Sequence, residues 1–231
     1  LTDQVEFANV IILNKTDLIT EEHLGVLKSA IQKLNPTAQI IESSYSKVNL
    51  SDILNTGKFN FDEAEQSAGW IEELNKEEHT PETDEYGISS FVYRAKKPFE
   101  PNRFGTYIAQ KFPSVIIRSK GLFWLSSRPA QALIWSQAGG SLNIESAGTW
   151  WCSMPGNERE QYMSFVENQA ELNSGWDDIF GDRKNEIVFL GQEMDIPQIT
   201  ADLNSCLVTQ EEIDSGQWKK GYEDHWSVPR T

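Results

Sequence analysis

The tetrapeptide Asn14-Lys15-Thr16-Asp17 holds side chains whose types and order suit recognition of a purine base. A carboxylate at the fourth position can accept from both N1–H and the 2-amino group of guanine in a bidentate pair. Adenine offers neither donor and would leave that carboxylate unpaired, which is where selectivity comes from. Asn14 can brace the loop and approach the N7/O6 edge, and the aliphatic stem of Lys15 can lie over the base plane. Chemistry of this kind suits the carboxyl end of a parallel strand. An apolar run, Val10-Ile11-Ile12-Leu13, stands immediately before the tetrapeptide, as a buried strand would.

The elements that must hold this loop follow in order. Thr20 can cap a helix on which Leu24, Leu27, Ile31 and Leu34 recur at helical spacing, and Asn35-Pro36 stops it. Ala38 to Ser44 then reads as a short strand. The turn after it, Ser43-Ser44-Tyr45, could offer backbone N–H groups to guanine O6, or be a plain strand-end turn. A phosphate-holding loop is the missing partner. The sequence contains no G-x-x-x-x-G-K-[ST], and Thr56-Gly57-Lys58-Phe59 has one glycine and no hydroxyl after the lysine.

Composition narrows the field. The chain has 231 residues, 39% hydrophobic and 24% charged, as expected of a soluble globular protein with one large or two small domains. No apolar run approaches the ~18 residues that span a bilayer, so no membrane span is expected. Two distant cysteines, Cys152 and Cys206, argue for a cytoplasmic setting without a disulfide framework. A net charge of −15 argues against a nucleic-acid groove, which needs a basic stripe.

From Asp62 to Glu85 the chain carries ten acidic residues and one lysine. A helix is expected over about 62–75, then a polar linker containing His79, with the domain boundary between about 76 and 87. Beyond Gly87, aromatic and β-branched residues dominate. Strands are expected at 88–95, at 115–127 with a break at Gly121, around Gly139-Gly140 as one long strand or a hairpin, and at 185–194. Helices are expected after Pro101, with Phe104, Tyr107, Ile108 and Phe112 on one face, and after the cap Asp195, with Ile199, Leu203 and Leu207 inward. The order β-α-β-β-(insert)-β-α approximates a ferredoxin-like split βαβ arrangement, with helices on one face of the sheet.

Several polar residues stay open to two readings. Arg118 and Lys120 could dock a partner or be solvated bases at a bulge. Asp182-Arg183 could be an ion pair or part of an interaction surface. Cys152 and Cys206 read as small buried hydrophobes. No catalytic nucleophile–base pair and no metal-ligand spacing stands out among His23, His79, His225 and the two cysteines.

"NKTDL", "YGISSFVYRAKKPF", "IRSKGLFWLSSRP", "WSQAGGSLNIESAGTWW" and "GDRKNEIVFLG" resemble, in this order, the C-terminal two thirds of the CobW family of metal-chaperone GTPases, closest to its YciC-like zinc branch. The resemblance implies the last βα units of a P-loop GTPase α/β domain over 1–60, an acidic helix and linker over 61–86, a ferredoxin-like CobW C-terminal domain over 87–210 and a polar tail over 211–231. The P-loop, the switch residues and the C-x-C-C-type metal motif of that family are not in this sequence. Asn14, Lys15 and Asp17 carry over as guanine contacts. The implied cofactors are GTP with Mg in the full-length context and zinc, or a cobalt or cobalamin-related metal, as cargo. The implied partners are an upstream GTPase domain and a metal-receiving target protein. Alone, such a chain is expected to be inactive on GTP. The other reading is a stand-alone ferredoxin-like protein-binding module without nucleotide activity.

Overall fold

In a computed structural model, which describes residues 2–58 and 85–228, the apolar run near the start forms β1 (Val10–Leu13) after a short helix, α1 (Thr2–Glu6). The acidic helix, the linker, His79 and most of the expected boundary lie outside the described residues. Contacts divide the chain into two compact units, Leu1–Phe91 with Leu190–Met194, and Val92–Phe189 with Asp195–Thr231.

In the first unit, Thr20 caps α2 (Glu21–Leu34), accepting from the backbone N–H of His23. Helix α2 returns the chain to β2 (Gln39–Glu42), which pairs in parallel with β1, Val10 opposite Gln39 and Leu13 opposite Glu42. Asn35 closes α2, and its side-chain amide donates to the carbonyls of Val5 and Ala8, fixing the turn beside β1. Two expectations change here. The strand before the tetrapeptide is half-buried, with Ile12 40% exposed, because among the described residues β1 and β2 pair only with each other. The inward stripe of α2 is Ala30 and Ile31, while Leu27 is exposed.

The second unit is organised by a five-stranded sheet in the order β3-β7-β4-β5-β6. Its strands are β3 (Ile88–Ala95), β4 (Ile116–Phe123), β5 (Gln131–Ala138), β6 (Ser141–Thr149) and β7 (Asn185–Gln192). The start of β3 and the end of β7 are counted with the first unit. Gly87 lies beside Glu193 and Arg94 beside Glu186, so β7 runs opposite to β3. Strand β7 is also antiparallel to β4, since Gly121 sits by Glu186 and Trp124 by Asn185. Strands β3 and β4 are therefore parallel, joined by α3 (Pro101–Gln110) and split by β7, as the ferredoxin-like reading requires. Pro101 opens α3, and the Glu100 carboxylate accepts from the N–H groups of Asn102 and Arg103 at 3.1 and 2.7 Å. After β7, Asp195 caps α7 (Ile196–Ser205) in the same manner. The Tyr93 hydroxyl of β3 donates to Asn204 of α7, and Cys206 Sγ to the carbonyl of Arg103 in α3.

The main core is aromatic. Phe99 and Phe104 stack at 3.9 Å between centroids, with Phe123, Trp135 and Trp226 around them. A second cluster joins Trp124, Trp150, Phe180, Val208 and Trp218. The insert between β6 and β7 carries three short helices, α4 (Gly156–Arg159), α5 (Met163–Glu167) and α6 (Gln169–Ser174).

Of the two forms expected around Gly139-Gly140, the hairpin is the one present, turning between β5 and β6. Two further readings are corrected. Gly121 does not break β4. It lets β4 pass close to β7, where an added Cβ would lie 2.7 Å from Ile187 Cα and inside contact of the Glu186 carbonyl. Gly121→Ala is therefore expected to destabilise this unit by about 2–3 kcal/mol, through overpacking against backbone that cannot rotate away. A shift of the urea midpoint measures it, and an unchanged midpoint would contradict the close approach. Residues 211–228, read as part of a polar tail, pack back on the domain. Helix α8 (Gln210–Asp214) starts with a Thr209/Glu212 capping box, and Trp218 and Val228 are buried. Its polar residues conceal four apolar anchors spaced too irregularly to give a helix or strand period: Ile213, Trp218, Trp226 and Val228.

Candidate functional site

The carboxyl ends of β1 and β2 lie side by side, because a parallel pair puts both ends at the same edge. The chain leaves β1 through Asn14 and Lys15. Lys15 adopts the left-handed conformation, φ 63° and ψ 33°, and Thr16–Leu18 then makes one 3₁₀ turn. Leaving β2, Tyr45 and Ser46 also have positive φ, 56° and 57°. Three non-glycine residues in this region within two facing loops cost free energy that the surroundings must offset.

What offsets it is a set of hydrogen bonds between the loops. Asn14 Nδ2 donates to Ser46 Oγ and the Ser46 N–H donates to Asn14 Oδ1, each at 3.0 Å. Thr16 donates from both its backbone N–H and its hydroxyl to the Ser43 carbonyl, each at 3.2 Å. The Ser43 N–H is spent on the Leu13 carbonyl at 2.8 Å, and its hydroxyl on the Lys47 carbonyl. Asn14 is thus a brace, as its residue type suggested, and its partner is Ser46. No sequence signal pointed to Ser46, because serine is not a usual left-handed residue. The side chains of Lys15 and Asp17 are exposed at the mouth of this pair of loops. Tyr45, 81% exposed, stands beside them in sequence with Ser44.

The other singled-out residues serve the second unit's architecture. Arg118 is buried and donates to Ser136 Oγ and the Gln137 carbonyl, so it is not a solvated base. Lys120 is half-buried. Asp182 accepts from the N–H groups of Trp151 and Cys152 at 2.8 and 2.9 Å. Arg183 donates to the Pro129 and Phe180 carbonyls and to Ser153 Oγ, and lies over the Trp124 ring. Asn185 ties the ends of β3 and β4, accepting from Trp124 N–H and donating to the Lys97 carbonyl. These side chains hold loops together.

Among the described residues, no three or more His, Cys, Asp or Glu side chains converge as a metal site. Burial pushes the Cys152 thiol up to about 11, helped by a hydrogen bond with Asp182. It also raises the Cys206 thiol. At neutral pH Cys152 then holds about a hundredth of the thiolate of a free cysteine. Alkylation of the native protein by iodoacetamide is expected to be at least about tenfold slower than in urea. Equal rates, followed by mass spectrometry, would show that the thiols are not shielded.

Two family descriptions match the chain. The "Cobalamin synthesis protein cobW C-terminal domain" covers residues 88–207, and the "CobW/HypB/UreG, nucleotide-binding domain" covers residues 1–42. The Zinc-regulated GTPase metalloprotein activator 1 of Dictyostelium discoideum is 40% identical over 221 residues, 94% of this chain and 45% of that protein. A zinc chaperone of Mycobacterium tuberculosis is 25% identical over 223 residues, 96% of this chain and 52% of its own length. The chain thus spans about half the length of these curated relatives. The crystal structure of the Zn(II)-bound YjiA GTPase from E. coli covers 90% of this chain and 54% of its own, with a TM-score of 0.38 and 16% identity.

Proposed function

The chain belongs to the CobW family, and on that premise we propose that it is the guanine-reading and C-terminal portion of a GTP-dependent zinc chaperone. The observation that carries the nucleotide half of this reading is the bracing of the Asn14–Asp17 loop against Ser43–Lys47 at the carboxyl ends of two parallel strands. A base seated between these loops would pair its N1–H and 2-amino group with Asp17. It would lie against the Lys15 stem and receive N–H groups from Ser44 and Tyr45 at O6. The Asn14–Ser46 bonds hold both loops in their left-handed conformation before ligand arrives, which lowers the ordering cost of binding. Fit is therefore good for a guanine base.

The phosphates and their Mg²⁺ supply the charge on which phosphoryl transfer acts, and the chemistry belongs to a phosphate-binding loop that this sequence does not contain. The residues here select and orient the base. Zinc enters as cargo, on the strength of what the relatives are named for. A metal-receiving protein is the implied partner, and the cytoplasm is the setting in which free thiols such as Cys152 and Cys206 persist. No helix among the described residues is long and apolar enough to cross a membrane.

Calorimetry tests the reading. When the chain is joined to a phosphate-binding half, GDP is expected to bind at least about a hundredfold more tightly than ADP. The 231-residue chain alone is expected to turn over no GTP. Equal affinity for GDP and ADP would leave the stand-alone binding module as the better account.

A further inference from the structure

Strand β6 ends the five-stranded sheet, and eight of its nine residues are exposed. Its sequence, SLNIESAGT, contains no lysine and no proline, the residues that commonly blunt a sheet edge. Only the irregularity opposite Ala132/Leu133 interrupts it, near its far end. The Gly139-Gly140 turn closes on the pair Ala138 and Ser141. In a two-residue hairpin the closing pair exchanges hydrogen bonds, so Ser141, Asn143 and Glu145 bond to β5. Leu142, Ile144 and Ser146 then direct their N–H and C=O groups away from the sheet.

A groove runs beside this edge. Leu142 and Ile144 stand opposite Gln137 and Trp135, on the side of the sheet that packs α3. Between them and α3 lie two cavities of about 410 and 500 Å³ that share Ile108 and Leu142. Phe112 and Trp135 line the first, and Gly105, Ala109 and Trp226 the second. The lining carries no acidic or lysine side chain, and His225 is its one titratable group. A Cβ at Gly105 would meet nothing within 4 Å, so the helix side of the groove is open.

We propose that the β6 edge and this groove take up an extended, basic segment of another protein by strand addition. The bound segment alternates apolar side chains into the groove, opposite Leu142 and Ile144, with lysine or arginine on the far face, opposite Glu145. Three features define that occupant. The outward backbone groups demand an extended chain. The uncharged lining, in which Ile108, Phe112, Trp135, Leu142, Ile144 and Trp226 supply the large side chains among small polar ones, favours apolar side chains on one face. The exposed Glu145, on a chain of net charge −15, favours a basic opposite face. A second copy fits poorly. Glu145 is the midpoint of Ser141–Thr149, so full antiparallel self-pairing would set it against its own copy, and like charges directly opposite are destabilising. This surface lies wholly in the second unit and does not depend on the nucleotide reading.

The test is amide hydrogen exchange of the full chain with a synthetic peptide of alternating lysine and valine, beside one of alternating glutamate and valine. The basic peptide is expected to slow exchange at Leu142, Ile144 and Ser146 and to bind at least about tenfold more tightly than the acidic one. Ser146→Pro removes an outward N–H without touching the β5 ladder, and Gly105→Leu fills the groove while favouring the helix. Each is expected to weaken the basic peptide by about tenfold or more without lowering the thermal midpoint. If Ser146→Pro lowers that midpoint, Gly105→Leu alone decides. Binding that Gly105→Leu leaves intact, or no protection of the three amides, would overturn the proposal. So would a dimer in sedimentation that Ser146→Pro dissolves, since the edge would then belong to a second copy.

Discussion

Asp17→Asn, in a protein that also carries the phosphate-binding half, is expected to lower GDP affinity by about 10²–10³-fold and to create affinity for xanthosine diphosphate. The sign follows from donors and acceptors. The carboxylate accepts twice, from N1–H and from the 2-amino group. An asparagine accepts once and donates once, so its amide N–H₂ faces the guanine amino group donor to donor. Xanthine replaces that amino group with a carbonyl, and the asparagine then matches both positions. Asp17→Ala is expected to lose guanine without gaining xanthine. The exposed position of Asp17 means that neither change touches a packed side chain, so folding is expected to be untouched. Titration with fluorescent GDP and xanthosine diphosphate separates the outcomes. An Asp17→Ala protein that keeps full GDP affinity would remove this residue from the site.

Asp224→Ala is expected to cost the second unit about 3–5 kcal/mol, the penalty for stranding a buried charge. Arg128 and Asp224 form a bidentate pair at 2.6 and 3.0 Å, with side chains 4% and 1% exposed. The same guanidinium donates to the carbonyls of Trp226 and Val228 at 2.9 and 2.5 Å. One arginine therefore anchors residues 224–228, and this brings Trp226 to the Phe104 ring at 5.7 Å. Replacing both partners, Arg128→Met with Asp224→Leu, is expected to recover part of the loss, since no isolated charge remains. Near-UV circular dichroism reports the release of Trp226, and urea unfolding the stability. A loss below about 1 kcal/mol would mean that solvent reaches the pair.

Legibility differed sharply between residue classes. Strand Ile88–Ala95 and the helix caps at Thr20 and Asp195 matched their expected places, since alternation and capping are local properties. The start of the helix at Pro101 was equally clear. Leu27 was misread, because a helical stripe wider than the covering surface cannot say which of its members is covered. The segment after 210 was misread because sparse aromatic anchors in polar sequence show their burial only once Arg128 and the Phe104 core are in place. The candidate site divided in the same way. The bracing role of Asn14 was readable from its residue type, whereas its partner Ser46 lies 32 positions away.

The amino-acid sequence alone determined the chemistry on offer: an Asn-Lys-Thr-Asp tetrapeptide after an apolar run, no phosphate loop, two cysteines too far apart to pair locally, and a strong acidic balance. These are properties of residue identity and near spacing, and no fold is needed to state them. Only the tertiary structure decided which polar residues are spent on architecture and which stand exposed at the surface. Arg118, Asp182, Arg183 and Asn185 spend their hydrogen bonds inside the second unit, while Asp17 and Lys15 keep theirs at the surface. The physical reason is that a hydrogen bond's partner is chosen by distance in space. The strand pairing that brings Glu186 against Gly121, or Ser46 against Asn14, joins positions that the chain itself keeps far apart.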